Sequence, residues 1–227
     1  MTGPDTDRGV AVYRALREHI VRGRFQPNER LVEADLAELL GAGRTTIRAA
    51  LVRLDQEGLV QRLPNRGARV RLVSDREALE IEQVRSALEA LLARQAARRV
   101  TARDVAGLRA DIARMRARVA EADPLGYSEL NASFHQRIWS IAGNQVATSL
   151  LSTLKSQSIR FQYRTILQPG RLQRSLEEHE AIVEALAARD PEASQTAMRV
   201  HLQHVVHTLE SAIARQNAQS VRRTAGR

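Results

Sequence analysis

The stretch that decides the fold is residues 23–70, GRFQPNERLVEADLAELLGAGRTTIRAALVRLDQEGLVQRLPNRGARV. Apolar residues follow helical spacing in two short runs within it. The first run is Leu31, Leu36, Leu39 and Leu40, and the second is Ile47, Leu51 and Leu54. Because Gly41 and Gly43 interrupt the pattern between the runs, the stretch predicts two short helices joined by a tight turn.

Two segments with the composition of β-strands follow Gly58. They are residues 59–63 and 68–72, and a turn-like PNRG segment separates them. Helix, turn, second helix and hairpin in this order form a winged helix-turn-helix, in which the start of the second helix contacts the major groove. We therefore expect double-stranded DNA as the partner.

Polar side chains at the start of the second helix and in the hairpin loop are the candidate DNA contacts. They are Arg44, Thr45, Thr46, Arg48, Arg66 and Gly67. Arginine binds guanine bidentately, and threonine binds phosphate. Arg53 and Arg62 are further candidates. The alternative is that these cations only solvate a surface.

This region resembles the DNA-binding domain of the GntR family of bacterial transcription regulators. The segments PNERL, DLAELL, GRTTIRAALVRLDQEGLV and PNRGARV carry the resemblance. Gly43 and Thr46 stand where the family usually has serine and proline, and Ala49 stands where glutamate is common. The resemblance thus implies the fold but leaves the operator sequence open.

The composition agrees with a cytoplasmic protein, and the resemblance implies a bacterial regulator. A chain of 227 residues with 43% apolar content can bury two cores, and it has no apolar run as long as a membrane span. Its N-terminal sequence does not predict a signal peptide. The absence of cysteine excludes disulfides and thiolate metal sites, while a net charge of +9 favours a polyanionic partner.

The sequence pattern changes after Val73, where we place a domain boundary. We assign residues 1–73 to the winged helix-turn-helix, 74–217 to an all-helical effector-binding and dimerisation domain, and 218–227 to a disordered basic tail. Predicted helices of the second domain are 75–99, 102–121, 124–142, 145–167, 171–189 and 191–217. The predicted fold class is mainly α, with a small β-hairpin wing and an antiparallel bundle of six to seven helices.

Candidate metal ligands come from three of these helices. Asn131 and His135 lie four residues apart and are therefore neighbours on one helical face. His179 and His201 belong to two later helices. Neutral imidazole is the commonest metal ligand, and three imidazoles with one amide oxygen leave coordination positions open. Spacing alone leaves open that these are ordinary core or surface histidines.

The second domain resembles the FCD effector domain of FadR-type GntR regulators. Residues 131–135 (NASFH), 143–144 (GN), 178–182 (EHEAI) and 198–202 (MRVHL) carry this resemblance. It implies a divalent metal ion bound by Asn131, His135, His179 and His201. Because Asn131 stands where aspartate is usual, we expect zinc or nickel rather than magnesium. His204 and His207 are interpreted as pocket-edge or surface residues.

The resemblance also implies a small carboxylate effector and an arginine that holds it. Arg85 is our candidate, because a guanidinium group binds a carboxylate bidentately. An ion pair with Glu89 along the same helix is the alternative. Tyr127 and Arg137 are further candidates. We therefore expect a homodimeric regulator that leaves its palindromic operator when the effector binds. The resemblance implies a repressor, because most members of the family repress transcription.

Other functions remain as alternatives. The same regulator could have a metal-free effector pocket. An architectural DNA binder would need only the positive surface and would lack sequence preference. A metal-dependent enzyme is a further alternative, but Val183 stands where the second histidine of a zinc protease motif would follow His179, and we predict no enzyme.

Overall fold

The computed structural model describes residues 4–21, 23–63 and 67–225; side chains are left undescribed at 4–7, 21, 155–160, 162–164 and 219–225. The first compact unit contains α1 (Pro4–Val21), β1 (Arg30–Leu31), α2 (Glu33–Leu40), α3 (Arg44–Gln56), β2 (Val60–Leu63) and β3 (Gly67–Val70). The second begins at Asp75 and contains α4 (Asp75–Ala97), α5 (Ala102–Ala120), α6 (Pro124–Ala142), α7 (Gln145–Ile166), α8 (Arg171–Ala187) and α9 (Pro191–Ala225). The predicted fold class, mainly α with a small wing, is confirmed.

The first unit is organised around α3. Its apolar face, with Ile47 and Leu54 fully buried, packs against α1. The turn between α2 and α3 begins at Gly41, whose φ of 58° lies in the left-handed region that glycine adopts without strain. Leu39 is exposed, so one member of the predicted apolar run does not belong to the core.

The wing is a three-stranded antiparallel sheet in the order β1-β3-β2, one strand more than predicted. Leu31, which we assigned to the first helical run, instead pairs with Ala68 in this sheet. The side chain of Leu31 is buried there with Ala68 and Val70. Burial in the sheet outweighs the fortuitous helical spacing of a single leucine. The loop tip at 64–66 lies outside the described residues.

The second unit is a bundle of six helices, all of which the sequence predicted to within two residues at their starts. Helix starts follow local chemistry: Thr101 and Asp104 form a capping box at α5, and the Asp123 side chain accepts from the backbone N–H of Gly126 at α6. Helix α9 continues to Ala225 and so includes residues 218–225, which we assigned to a disordered basic tail. Residues 192–225 contain no glycine or proline that would interrupt this helix.

The core of the bundle surrounds the middle of α6. The largest fully buried side chains there are Trp139, Tyr127 and Phe134. Helix α4 packs along α9 and against α6, while α8 contacts both α5 and α9. These four helices, α4, α6, α8 and α9, each carry at least one buried polar side chain. Within the described residues, no helix is long and apolar enough to cross a membrane.

Candidate DNA interface and candidate metal centre

A groove between α3 and the wing has four arginines in its lining. Its volume is about 840 Å³. The charged residues along it are Arg30, Glu33, Arg44, Arg48 and Arg62. Four guanidinium groups against one carboxylate make a concave positive surface, which attracts a phosphate backbone.

The predicted DNA contacts occupy this groove and the adjoining end of α3. Arg44 and Arg48 are exposed and line the groove, and Gly67 lines it from β3. Thr45 is exposed and Thr46 half-buried in the first turn of α3. Arg66 lies outside the described residues. Three of the described candidates thus line one groove, and the two threonines lie beside Arg44 at the start of α3.

The two further arginine candidates differ in position. Arg62 lines the groove from β2. Arg53 instead lies 3.8 Å from the centroid of the Tyr13 ring and 3.6 Å from the carboxylate of Glu57. Such stacking on an aromatic ring stabilises the first unit, so Arg53 has a structural role here.

In the helical unit, the histidines predicted as metal ligands come together. His135 on α6, His179 on α8 and His201 on α9 are buried, and one potential ligand atom from each lies within 4.8 Å of the others. Three helices that are separate in sequence thus place three imidazoles around one point.

Two of the imidazoles are oriented by carboxylates, one fully buried and one partly buried. The Nδ1 atom of His135 contacts the carboxylate of Glu89, and the Nδ1 atom of His201 lies 2.7 Å from Oε2 of Glu178. A carboxylate at Nδ1 accepts the ring proton there and leaves the lone pair on Nε2. Carboxylate partners of this kind orient metal-binding histidines and make them better donors.

The third imidazole is held by a hydroxyl group. Nδ1 of His179 lies 3.1 Å from the hydroxyl oxygen of Tyr127, and its Nε2 lies 3.3 Å from Nε2 of His135. Burial lowers the pKa of His201 to about 4 and also holds the pKa of His179 well below its usual value. Both rings are therefore neutral near neutral pH, which is the form that binds metal.

Asn131 provides the test of whether a metal ion fits this cluster. Its Oδ1 is buried and has no hydrogen-bond partner in the described part of the chain. An unpaired buried oxygen is costly, and a cation would compensate it. The separation of 3.3 Å between the Nε2 atoms of His135 and His179 also equals the roughly 3.3 Å between two nitrogens on tetrahedral zinc. The residues present fit a divalent ion that accepts nitrogen and neutral oxygen donors.

A small cavity of about 40 Å³ adjoins the cluster. Its lining includes Asn131, His135, His201, Arg85 and Arg171. The guanidinium group of Arg85 is buried and lies 2.8 Å from both Glu82 and Glu89. The ion pair that the sequence left open is therefore present, while the Nε atom of Arg85 is buried without a partner in the described residues.

The remaining candidates lie outside the cavity lining. Arg137 binds Asp111 at 2.7 Å. His204 is half-exposed with its Nδ1 2.7 Å from Glu178, and His207 is exposed. Neither histidine belongs to the cluster.

Comparison with known proteins decides the family. The model of the bacterial regulatory proteins of the gntR family matches residues 9–70, and the FCD domain model matches residues 80–204. The chain is a GntR-family regulator with an FCD domain. The predicted resemblance is thereby confirmed, and the family is one of transcription regulators rather than enzymes.

Relatives and solved structures agree with this assignment. The regulator is 29% identical over 194 residues to the HTH-type transcriptional repressor RspR of Escherichia coli. The aligned region covers 86% of this chain and 85% of RspR. It is 29% identical over 210 residues to the repressor GlaR of the same organism, with coverage of 89% and 96%. The structure of E. coli McbR/YncC superimposes with a TM-score of 0.79 at 22% identity, covering 93% of this chain and 99% of that one.

Sequence reasoning missed several residues of the regulator's two candidate sites. Arg30 belongs to a strand of only two residues, which is too short to produce a recognisable pattern, and Glu33 follows just after that strand. Arg171 and Glu178 lie on α8 and bind each other at 2.8 Å beside the cavity. Their seven-residue separation indicates a shared helical face, but nothing in the sequence shows that this face is buried.

Proposed function

We propose that this regulator is a repressor whose operator binding is controlled by a small carboxylate bound beside a divalent metal ion in the FCD domain. His135, His179, His201 and Asn131 would hold the ion, and zinc or nickel suits their donor atoms best. The observation that carries the proposal is the convergence of three oriented, buried imidazoles beside the unpaired Oδ1 of Asn131.

The cavity supports an anionic effector of small size. A divalent ion at the cluster supplies a positive centre with coordination positions left open for an anion. Arg85 and Arg171 line the same cavity and offer guanidinium donors to a carboxylate. A volume of about 40 Å³ is far below the roughly 300 Å³ of a pocket for a drug-sized ligand. A short-chain carboxylate is thus the effector class that this conformation admits.

Regulation requires coupling between the cavity and the DNA interface. We infer that a homodimer presents two copies of α3 to a palindromic operator, and that the effector favours an arrangement that fits it less well. A coupling of about 1–3 kcal/mol changes operator affinity roughly 5- to 150-fold. Repression is supported by the names of the relatives RspR and GlaR.

The metal centre is tested by elemental mass spectrometry of untagged protein purified without chelator. We expect close to one zinc or nickel ion per chain, and loss of it in His179→Ala. His207→Ala is the matched control, because His207 is exposed on the same helix as His201 and lies outside the cluster. Metal-free native protein, under conditions where metal is supplied, would contradict the metal centre and favour the alternative of a metal-free effector pocket.

Effector control is tested on metal-loaded and chelator-treated protein. Short carboxylates from acetate to citrate are screened by thermal shift. Each stabilising compound is then added to an electrophoretic mobility-shift assay of the protein with DNA from upstream of its own gene. We expect operator release only with the metal-loaded protein. Sedimentation of the protein–DNA complex gives the stoichiometry, and one monomer bound per operator would contradict the dimer.

A further inference from the structure

The regulator's DNA-facing groove contains one carboxylate among its arginines, and this carboxylate holds a predicted DNA contact. Nε of Arg48 donates to Oε1 of Glu33 at 3.0 Å, and Nη2 donates to Oε2 at 2.7 Å. Glu33 is the first residue of α2 and Arg48 lies in the second turn of α3. The pair therefore connects the two helices of the helix-turn-helix at the surface of the groove.

The geometry of this pair determines which part of the guanidinium group stays available. A guanidinium group has five N–H donors, of which one on Nε and one on Nη2 bind Glu33. Both donors of Nη1 and the second donor of Nη2 remain. These form the outer edge of the group, and two parallel donors on one edge match O6 and N7 of guanine.

Arg48 could bind a phosphate instead of a base, and the negative charge of Glu33 opposes that phosphate contact. A carboxylate in bidentate contact neutralises the guanidinium group and repels a nearby phosphate. It also restricts a long side chain that is 59% exposed and otherwise free to follow the DNA backbone. Both effects favour a fixed base contact over a mobile backbone contact.

We propose that Glu33 is a specificity-determining residue that positions Arg48 to read a guanine in the major groove. Glu33 acts through Arg48 and makes no base contact itself. The inference rests on the proposed sequence-specific regulation, and it adds a residue that sequence reasoning did not identify. A bidentate arginine–guanine pair discriminates against other bases by roughly 5- to 150-fold.

The test is a selection of binding sites from a library of randomised duplex DNA with the full chain. Wild type, Arg48→Ala and Glu33→Gln are compared, and Glu38→Gln is the matched control because it removes the same charge from the exposed side of α2. We expect wild type to select a G·C pair that Arg48→Ala no longer selects. For Glu33→Gln, the preference for G·C over the other base pairs at that position should fall at least about 5-fold. The preferences at the remaining positions should stay unchanged.

Binding to a duplex of unrelated sequence provides the second measurement. We expect Glu33→Gln to bind it as tightly as wild type or more tightly, because one negative charge is removed from the groove. Glu33→Gln with the wild-type preference at that position would overturn the inference, as would uniform weakening by Arg48→Ala without loss of any base preference. If wild type itself selects no sequence, the proposed regulation fails, which is a distinguishable result.

Discussion

Replacing Glu89 by glutamine tests how the buried charges support the metal centre. The Glu89 carboxylate is fully buried and accepts from Arg85 at 2.8 Å, from Nδ1 of His135, and from Nε1 of Trp139 at 3.3 Å. Burial raises the pKa of Glu89, but contacts with His135 and Arg85 outweigh this and hold the pKa well below its usual value. The group is therefore ionised at neutral pH.

Glutamine cannot reproduce these contacts. It has one acceptor oxygen and one amide group that only donates, so in either orientation its amide faces Arg85 or the donors of His135 and Trp139. Breaking a buried ion pair costs about 3–5 kcal/mol. Because Glu82 still neutralises Arg85 at 2.8 Å, we expect a loss near the lower limit, about 3 kcal/mol.

The assay is urea unfolding of chelator-treated protein, followed by fluorescence. Trp139 is the only tryptophan in the chain and lies in the helical unit, so it reports the unit that is perturbed. Glu80→Gln on the same helix is the control, since its pair with Arg76 is exposed and contributes less than about 1 kcal/mol. Metal affinity of Glu89→Gln should fall roughly 10- to 100-fold because His135 loses its carboxylate. Equal unfolding free energies for Glu89→Gln and the control would refute the reasoning.

Three more predictions concern the metal site, the wing and pH. Asn131→Asp should bind metal about tenfold more tightly, measured by chelator competition, because it adds a negative charge. Gly67→Ala should lower the free energy of urea unfolding of the first unit by about 2 kcal/mol or more, since its φ is 82° and a Cβ would overlap the Leu31 carbonyl. Gly9→Ala is the control, because nothing lies near its Cβ position, and it should raise that free energy by about 0.5–1 kcal/mol. In metal-free protein, the pKa of His201 is about 6.5 in the unfolded chain, and burial lowers this pKa to about 4 in the folded chain. Unfolding free energy measured from pH 7 to 4 should therefore fall by about 3 kcal/mol, and a flat profile would contradict neutral burial of His201.

The sequence predicted those elements of the fold that depend on local signals. Helix starts at Thr101 and Asp123 were predictable because their side chains cap backbone N–H groups within the next three residues. Strand β1 was not predictable, because two residues become a strand only through pairing with distant β3. Leu31 had the spacing of a helix and the environment of a sheet, and the tertiary contacts decided between them.

The candidate metal ligands were predicted through family resemblance, while their supporting contacts were not. His135 and His179 match a known motif, but the partners that orient them, Glu89 and Tyr127, depend on how helices pack across the core. Arg85 shows the same limit. Its spacing to Glu89 indicated an ion pair, yet only the structure shows that the pair is buried beside the cavity.

The histidine cluster lies among helices that also share one apolar core. Its imidazoles come from α6, α8 and α9, and Glu89 adds α4 through His135. An ion bound there acts as a removable cross-link among four helices, whereas the DNA-binding unit is held by its own apolar core. With an ion bound there as proposed, its removal would reduce the rigidity of the effector domain, while the helix-turn-helix would keep the apolar core that holds it folded.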